Sequence, residues 1–370
     1  MLWPVCIPAA LLMPVLWSFA DSRWAAGTAV LLYELVASRG LPPGTAVFFG
    51  DSASIWLGVA VWSGAALMTT APYFYFWKKE AGWHKAGGLL AALALQAVSP
   101  VGYSHPLTGL GDVLPGTGFY GIAAMLIIWS IIALDPRKLL YVVPAGALFA
   151  SIVQAAPLNT VKDVKLRGID THLSRLASGN NHDFISQYSR ILFVEDTAQS
   201  AKKGEIILLP ETFLGGYTKA LDARLSTAKH ILKSKDAVIL AGAELPADNA
   251  FDGPYYNALV PVGSDQPALI QHTPVPISMW TPWRTHSAIG NPYVMPTSST
   301  IHGLRIDTAI CYEQLLSYPM LLILLDHPDV ITAPTNDWWA RDTSIPAIQH
   351  ESMVAWARLS GIRLVEARNQ

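Results

Sequence analysis

The chain has 370 residues, 52% hydrophobic and 14% charged, against roughly 25% charged in an average soluble domain. This composition argues against a wholly soluble protein and predicts a membrane-embedded part. Its 25 basic and 27 acidic residues give a formal charge of −2, which leaves no electrostatic footprint for direct nucleic-acid binding. The two cysteines, Cys6 and Cys311, lie far apart and Cys6 sits inside an apolar run, so no disulfide is expected.

Charge is unevenly spread. Residues 52–77, 86–103, 113–134 and 139–161 contain no Lys, Arg, Asp or Glu, and each approaches or exceeds the about 20 residues of a spanning helix. Two weaker runs precede them: 2–20 carries Pro4, Pro8 and Pro14, and 24–38 carries Glu34. Both read as tilted, kinked or re-entrant, and Glu34 is expected to face other helices. Residues 1–158 are therefore expected to form a transmembrane domain of about six helices, with about five as the rival count. The first run has no basic lead and no cleavage site, and reads as retained. Lys78, Lys79 and Lys85 in one turn and Arg137 with Lys138 in another place both turns in the cytoplasm. The segment after the last span then lies in the periplasm of a two-membrane bacterium, and the chain reads as a multi-pass protein of the inner, cytoplasmic membrane.

From residue 162 to 370 the texture is that of alternating strands and amphipathic helices. VKLRGID, EIILLP, DAVILAGAEL, GLRIDTAI, DVITAP and IRLVEA read as strands, with YYNALVPVG and PALIQHTP as a hairpin pair. HDFISQYSRILFVEDTAQSAKK, LDARLSTAKHILKSK, QLLSYPMLLILLDH and TSIPAIQHESMVAWARLSG read as helices, the last closed by Gly361. The expectation is a layered α/β domain with a mixed sheet and its ligand site beyond the strands' carboxyl ends.

Glu211, Cys311, Asn336 and Asp337 fall at such ends. A carboxylate and a thiol there suit nucleophilic catalysis, the carboxylate taking the thiol proton. A cysteine opening a helix is expected to have its thiolate favoured, with the Tyr312 amide helping to hold an oxyanion. Asn336 and Asp337 are expected to shape the pocket. Trp338, with Trp280, Trp283 and Trp339, lines an acyl groove, touches headgroups or simply packs in the core. No zinc-ligand spacing and no phosphate-binding glycine loop is present, so neither metal nor cofactor is expected.

The segments LLPETFLGG, PVPISMWTP, AICYEQ, TNDWW and IQHESMVAWARLSGIRLVEARN, in this order, resemble the nitrilase, or carbon-nitrogen hydrolase, superfamily. Within it the chain is similar to apolipoprotein N-acyltransferases and to a conjugal-transfer branch carried by Ti-type plasmids. The resemblance covers residues 164–370 well and the membrane part only in kind. It implies an α-β-β-α sandwich, with further family strands beyond the final ARNQ and so a domain truncated at its C terminus. It implies a cysteine-dependent amide hydrolase or N-acyltransferase at the outer face of the inner membrane. The alternative is a catalytically weakened binding or assembly module in conjugal transfer. Implied partners are a membrane lipid or other acyl donor, an amine or amide substrate, and components of the conjugation machinery.

By the same resemblance Glu211 is the general base, Cys311 the nucleophile and Glu313 a supporting carboxylate. The family's lysine position is Gln271, and the position of a later family glutamate is Met279. A neutral amide supplies far less oxyanion stabilisation than an ammonium. His272 is the nearest substitute cation, though neighbouring strand residues face opposite ways; Lys219 and Lys229 are more distant candidates. The sequence leaves the oligomeric state open.

Overall fold

The computed structural model describes residues 5–50, 55–155, 165–173, 184–248 and 252–370. The chain divides into a helical unit, residues 1–160 with 315–321 and 339–361, and an α/β unit formed by the remainder.

In the helical unit a 3-10 turn at Ile7–Leu12 runs into α1 (Met13–Phe19). Each begins with proline in its first turn, where the missing N–H is not needed. Then come α2 (Arg23–Ala37), α3 (Leu41–Phe49), α4 (Ile55–Phe76), α5 (Trp83–Ala97), the short α6 (Leu110–Val113), α7 (Gly118–Leu134) and α8 (Leu139–Ala155). Helix α3 is an addition to the expected elements; prolines in its first turn are the sequence signal for its start. Among the described residues, Ile55–Phe76 and Pro136–Gln154 are long and apolar enough to cross a bilayer. A third crossing is counted if Pro106–Val113 and Gly118–Leu134, bent by 116°, form one broken span. The runs at 2–20, 24–38 and 86–103 are carried by shorter helices.

Glu34 is only 2% exposed. Gln96 Nε2 donates to its Oε1 at 2.7 Å, and Tyr73 Oη donates to Gln96 Oε1 at 2.5 Å. Trp17 Nε1 donates to the Tyr73 carbonyl at 2.9 Å, so one polar chain joins α1, α2, α4 and α5. This satisfies the requirement that a carboxyl among apolar helices have partners.

Residues 339–361 belong to this unit and contain α13 (Ile345–Ser360). A Cβ on Gly111 would come within 1.6 Å of the Ala355 carbonyl oxygen, so only glycine permits this approach. Arg358 pairs with Asp112 at 2.8 Å beside it.

The α/β unit holds two sheets. The first, in the order β1 (Leu166–Gly168), β2 (Ile206–Leu208), β3 (Val238–Pro246), β4 (Tyr255–Val262), β5 (Leu269–Ile270), is parallel as far as β3 and antiparallel beyond. The second, β6 (Ser299–Ile301), β7 (Leu304–Thr308), β8 (Val330–Asn336), β9 (Arg363–Asn369), is antiparallel at β6–β7 and parallel beyond. Strand β6 is not foreseen in the sequence, where it is only three residues long.

Alternation along β3 sorts the core. Ile239, Ala241 and Ala243 pack with Val194 and Ala198 of α9 (Phe184–Ser200), Leu221 of α10 (Lys219–Arg224) and Leu232 of α11 (Ser226–Ser234). Val238 and Leu240 face the other way, joining Ile206, Leu208 and Leu259 against Ile306, Val330 and Val365 of the second sheet. Three layers, α-β-β, are thus stacked within this unit. Burial stabilises each of the larger of these side chains, the Ile, Leu and Val, by about 1.5–3 kcal/mol.

Candidate functional site

Glu211 lies just past β2, Cys311 just past β7, and Asn336 and Asp337 at the end of β8. The two sheets share one apolar layer, so these ends converge. Glu211 is 3% exposed; Asn257 Nδ2 donates to its Oε1 at 2.7 Å, and its carboxyl is hydrogen-bonded to the Cys311 thiol. The Asn336 backbone contributes hydrogen bonds to both Glu211 and Cys311.

The turns carrying the two groups are left-handed. Thr212 has φ 51° and Cys311 φ 50°, a region that costs a non-glycine residue on the order of 1–2 kcal/mol. Strand β3 runs against the first turn: a Cβ on Gly242 would sit 2.2 Å from the Pro210 carbonyl oxygen and 2.6 Å from Glu211 Cα. Gly242→Ala is therefore expected to destabilise the α/β unit by about 3 kcal/mol and to separate Asn257 from Glu211. Denaturant unfolding followed by limited proteolysis measures the first effect.

Cys311 opens a 3-10 turn, Cys311–Leu315, rather than the α-helix expected directly after it; α12 (Ser317–Asp326) follows. Burial, then the nearby Glu211 and Asp337 carboxyls, hold the thiol well above its ordinary pKa. The thiolate expected from a helix N-terminus is thus disfavoured here.

Gln271 is 1% exposed; its Nε2 donates to the Ile310 carbonyl at 2.8 Å and its Oε1 accepts from Asn257 Nδ2 at 2.9 Å. Glu313 is a backbone staple. Its Oε1 accepts from the His272 and Thr273 amides at 2.8 and 3.0 Å, and its Oε2 from the Ile310 amide at 2.9 Å. His272 is half-buried, its Nε2 is 3.3 Å from Thr297 Oγ1, and burial lowers its pKa, so its ring favours the neutral form. Lys229 pairs with Asp222, and Lys219 is exposed. Tyr312 and Trp338 are half-buried beside the strand ends. Trp280 and Trp283 are 47% and 67% exposed, which excludes the core-packing alternative for them.

Sequence reasoning missed Asn257, Thr212 and Asn369. Asn336 Nδ2 donates to Thr212 Oγ1, and Asn369 Nδ2 donates to Asn336 Oδ1, both at 2.8 Å. Thr171 Oγ1 donates to Asn369 Oδ1 at 2.8 Å. The available signal was an amide within each of two otherwise strand-like runs, YYNAL and VEARN.

Glu211, Glu244, Glu313 and Asp337 are each pushed up to about 7, burial being the first cause in every case. Unfolded carboxyls titrate near about 4, so between the two values the folded state binds more protons than the unfolded one. Stability must therefore fall as pH rises from about 4 through about 7, and level off above. The α/β unit is expected to unfold at a temperature on the order of 5 °C higher at pH 5.5 than at pH 8. Thermal scans of the full chain in detergent check the sign.

No established family model matches the chain. A conjugal transfer protein TraB of Agrobacterium fabrum is 31% identical, over 98% of this chain and 87% of that protein. A probable TraB of Sinorhizobium fredii is likewise 31% identical, over 99% and 93%. Among solved structures, an amidase from Nesterenkonia sp. aligns at 15% identity with a TM-score of 0.40, covering 58% of this chain and 79% of that one. A multi-pass inner-membrane protein carrying an α/β unit is the class defined here. The chain belongs to the TraB family of conjugal transfer proteins.

Proposed function

We propose that the α/β unit is a nitrilase-like domain, catalytically weakened, that serves conjugal transfer as a periplasmic binding or assembly module. The carrying observation is the state of Cys311. Its thiol is buried beside Glu211 and Asp337 and held well above its ordinary pKa. The position that would bring a lysine holds Gln271, whose amide is tied to Ile310 and Asn257. A nucleophilic mechanism needs a thiolate and a stabilised oxyanion, and both are costly without that charge. The retained polar groups instead suit recognition of a ligand by components of the transfer machinery.

A second reading is a cysteine-dependent amide hydrolase or N-acyltransferase drawing acyl groups from the bilayer. The hydrogen bond between Glu211 and Cys311 and the left-handed Cys311 backbone favour it. In that reaction Glu211 takes the thiol proton and sulfur adds to the carbonyl. The tetrahedral adduct expels the donor's amine or alcohol, which takes the proton from Glu211. An incoming amine or water then cleaves the thioester and returns a proton to the thiol. Glu313 positions the loops, while Tyr312, Asn336, Asp337 and Trp338 border the acyl site.

Plasmid transfer by a Cys311→Ala chain, with membrane level and fold verified, separates the two. Wild-type transfer frequency is expected. Loss of transfer with the fold intact overturns the binding-module reading.

A further inference from the structure

The loop after β5 brings His286 against Glu244. Glu244 lies on β3 opposite Asn257 of β4, and directly opposed antiparallel residues project to the same face with Cβ atoms about 5 Å apart. Glu244 therefore stands beside the amide that holds Glu211 and Gln271. Its backbone is pinned on the other side, accepting from the Tyr217 amide at 2.8 Å and donating to the Gly215 carbonyl at 2.9 Å. The loop runs through Met279, whose carbonyl accepts from the Ala288 amide at 2.9 Å, and then pairs with Tyr255. That pairing stacks the His286 ring on Tyr255 at 4.6 Å.

His286 Nδ1 lies 3.2 Å from the Gly253 carbonyl, which only accepts. Nδ1 therefore carries the proton, and in the neutral ring Nε2 presents a lone pair. Nε2 is buried with no hydrogen-bond partner among the described residues, and so is Glu244 Oε1. Glu244 Oε2 is 3.8 Å from Nε2, too far for a hydrogen bond. The Glu244 side chain is 4% exposed and that of His286 29%, while the two unpartnered atoms are themselves shielded from solvent. Buried acceptors are normally paired, and these two lack a donor.

The missing donor must serve two acceptors at once, one of them a carboxyl oxygen. Glu211, Glu244, Glu313 and Asp337 are buried together at one end of the strands, facing Arg190 near Glu244 and Arg368 near Asp337. We infer that Glu244 and His286 form a subsite for a primary ammonium group, donating to Glu244 Oε1 and His286 Nε2. This rests on the reading of the same face as a ligand-binding surface, and supplies from the ligand a positive charge that Gln271 does not.

The test uses the full chain in lipid nanodiscs and titration calorimetry. The probes are n-butylammonium and the neutral n-butyramide, and a trialanine amide with a free or an acetylated N terminus. Saturable binding of n-butylammonium is expected, at least tenfold weaker for Glu244→Gln and for His286→Phe, which preserves the ring stack. Tighter binding of the free than of the acetylated peptide assigns the group to a peptide terminus; binding of butylammonium alone assigns it to a small amine. No saturable binding of either cation, equal binding of butyramide, or unchanged affinity in folded Glu244→Gln overturns the inference. The same titration on Cys311→Ala is expected to give unchanged butylammonium affinity, so it reads the subsite without the thiol, whereas the module reading is decided by plasmid transfer of that variant; either can fail while the other stands.

Discussion

Replacing Glu313 with alanine is expected to unfold the α/β unit under conditions where the wild type is stable. The carboxylate accepts three buried backbone N–H groups, from Ile310, His272 and Thr273. An orphaned buried donor costs about 1–3 kcal/mol, so the loss of three is about 3–9 kcal/mol, a large share of the about 5–15 kcal/mol that stabilises a typical domain. Glu313→Gln is expected to fall between. Its single carbonyl can serve either the His272 and Thr273 pair or Ile310, and its amide then faces the remaining donor. Thermal unfolding of the two variants gives the order wild type, Gln, Ala. Equal midpoints for all three would show that the staple contributes nothing.

The second large effect is on chemistry. Gln271→Lys is expected to make Cys311 reactive. An ammonium near Glu211 and the thiol opposes the burial and carboxylates that hold the thiol neutral. An opposite charge within a few ångströms shifts a pKa by about 1–3 units, or ~10- to 1000-fold in thiolate at a given pH. The substitution removes the acceptor for Asn257 and replaces the amide that donates to Ile310 with an ammonium, so a modest stability cost accompanies it. Iodoacetamide alkylation of Cys311, followed by intact mass across pH, measures the gain. An alkylation profile identical to wild type would mean that residue 271 does not control the thiol.

Much of this was legible in the chain. The charge-free runs predicted helices, and alternation in EIILLP, DAVILAGAEL and GLRIDTAI predicted strands, because burial against a core imposes those periods. Glu211, Cys311, Asn336 and Asp337 were readable from their places at strand ends. The rest depended on register or on backbone geometry. Asn257 acts because β4 pairs antiparallel with β3, and Asn369 because β9 aligns it with Asn336. Neither pairing leaves a local signature. Three-residue β6 carries too little pattern to recognise. The expectation of an activated thiol failed because a helix start was weighed without the buried carboxyls around it, and their burial is a property of the folded core. Glu313, expected as a supporting carboxylate, spends its oxygens on three backbone amides, a set of partners with no local sequence signature.

The central claim is that Cys311 does not turn over in the wild-type site. Intact-mass analysis of the full chain in nanodiscs, after exposure to butyramide and to a p-nitrophenyl butyrate ester, tests it directly. No acyl thioester on Cys311 is predicted for the wild type, with an adduct appearing in Gln271→Lys. A thioester on wild-type Cys311 that is abolished by Glu211→Gln would contradict the claim and establish an acyl-transfer enzyme.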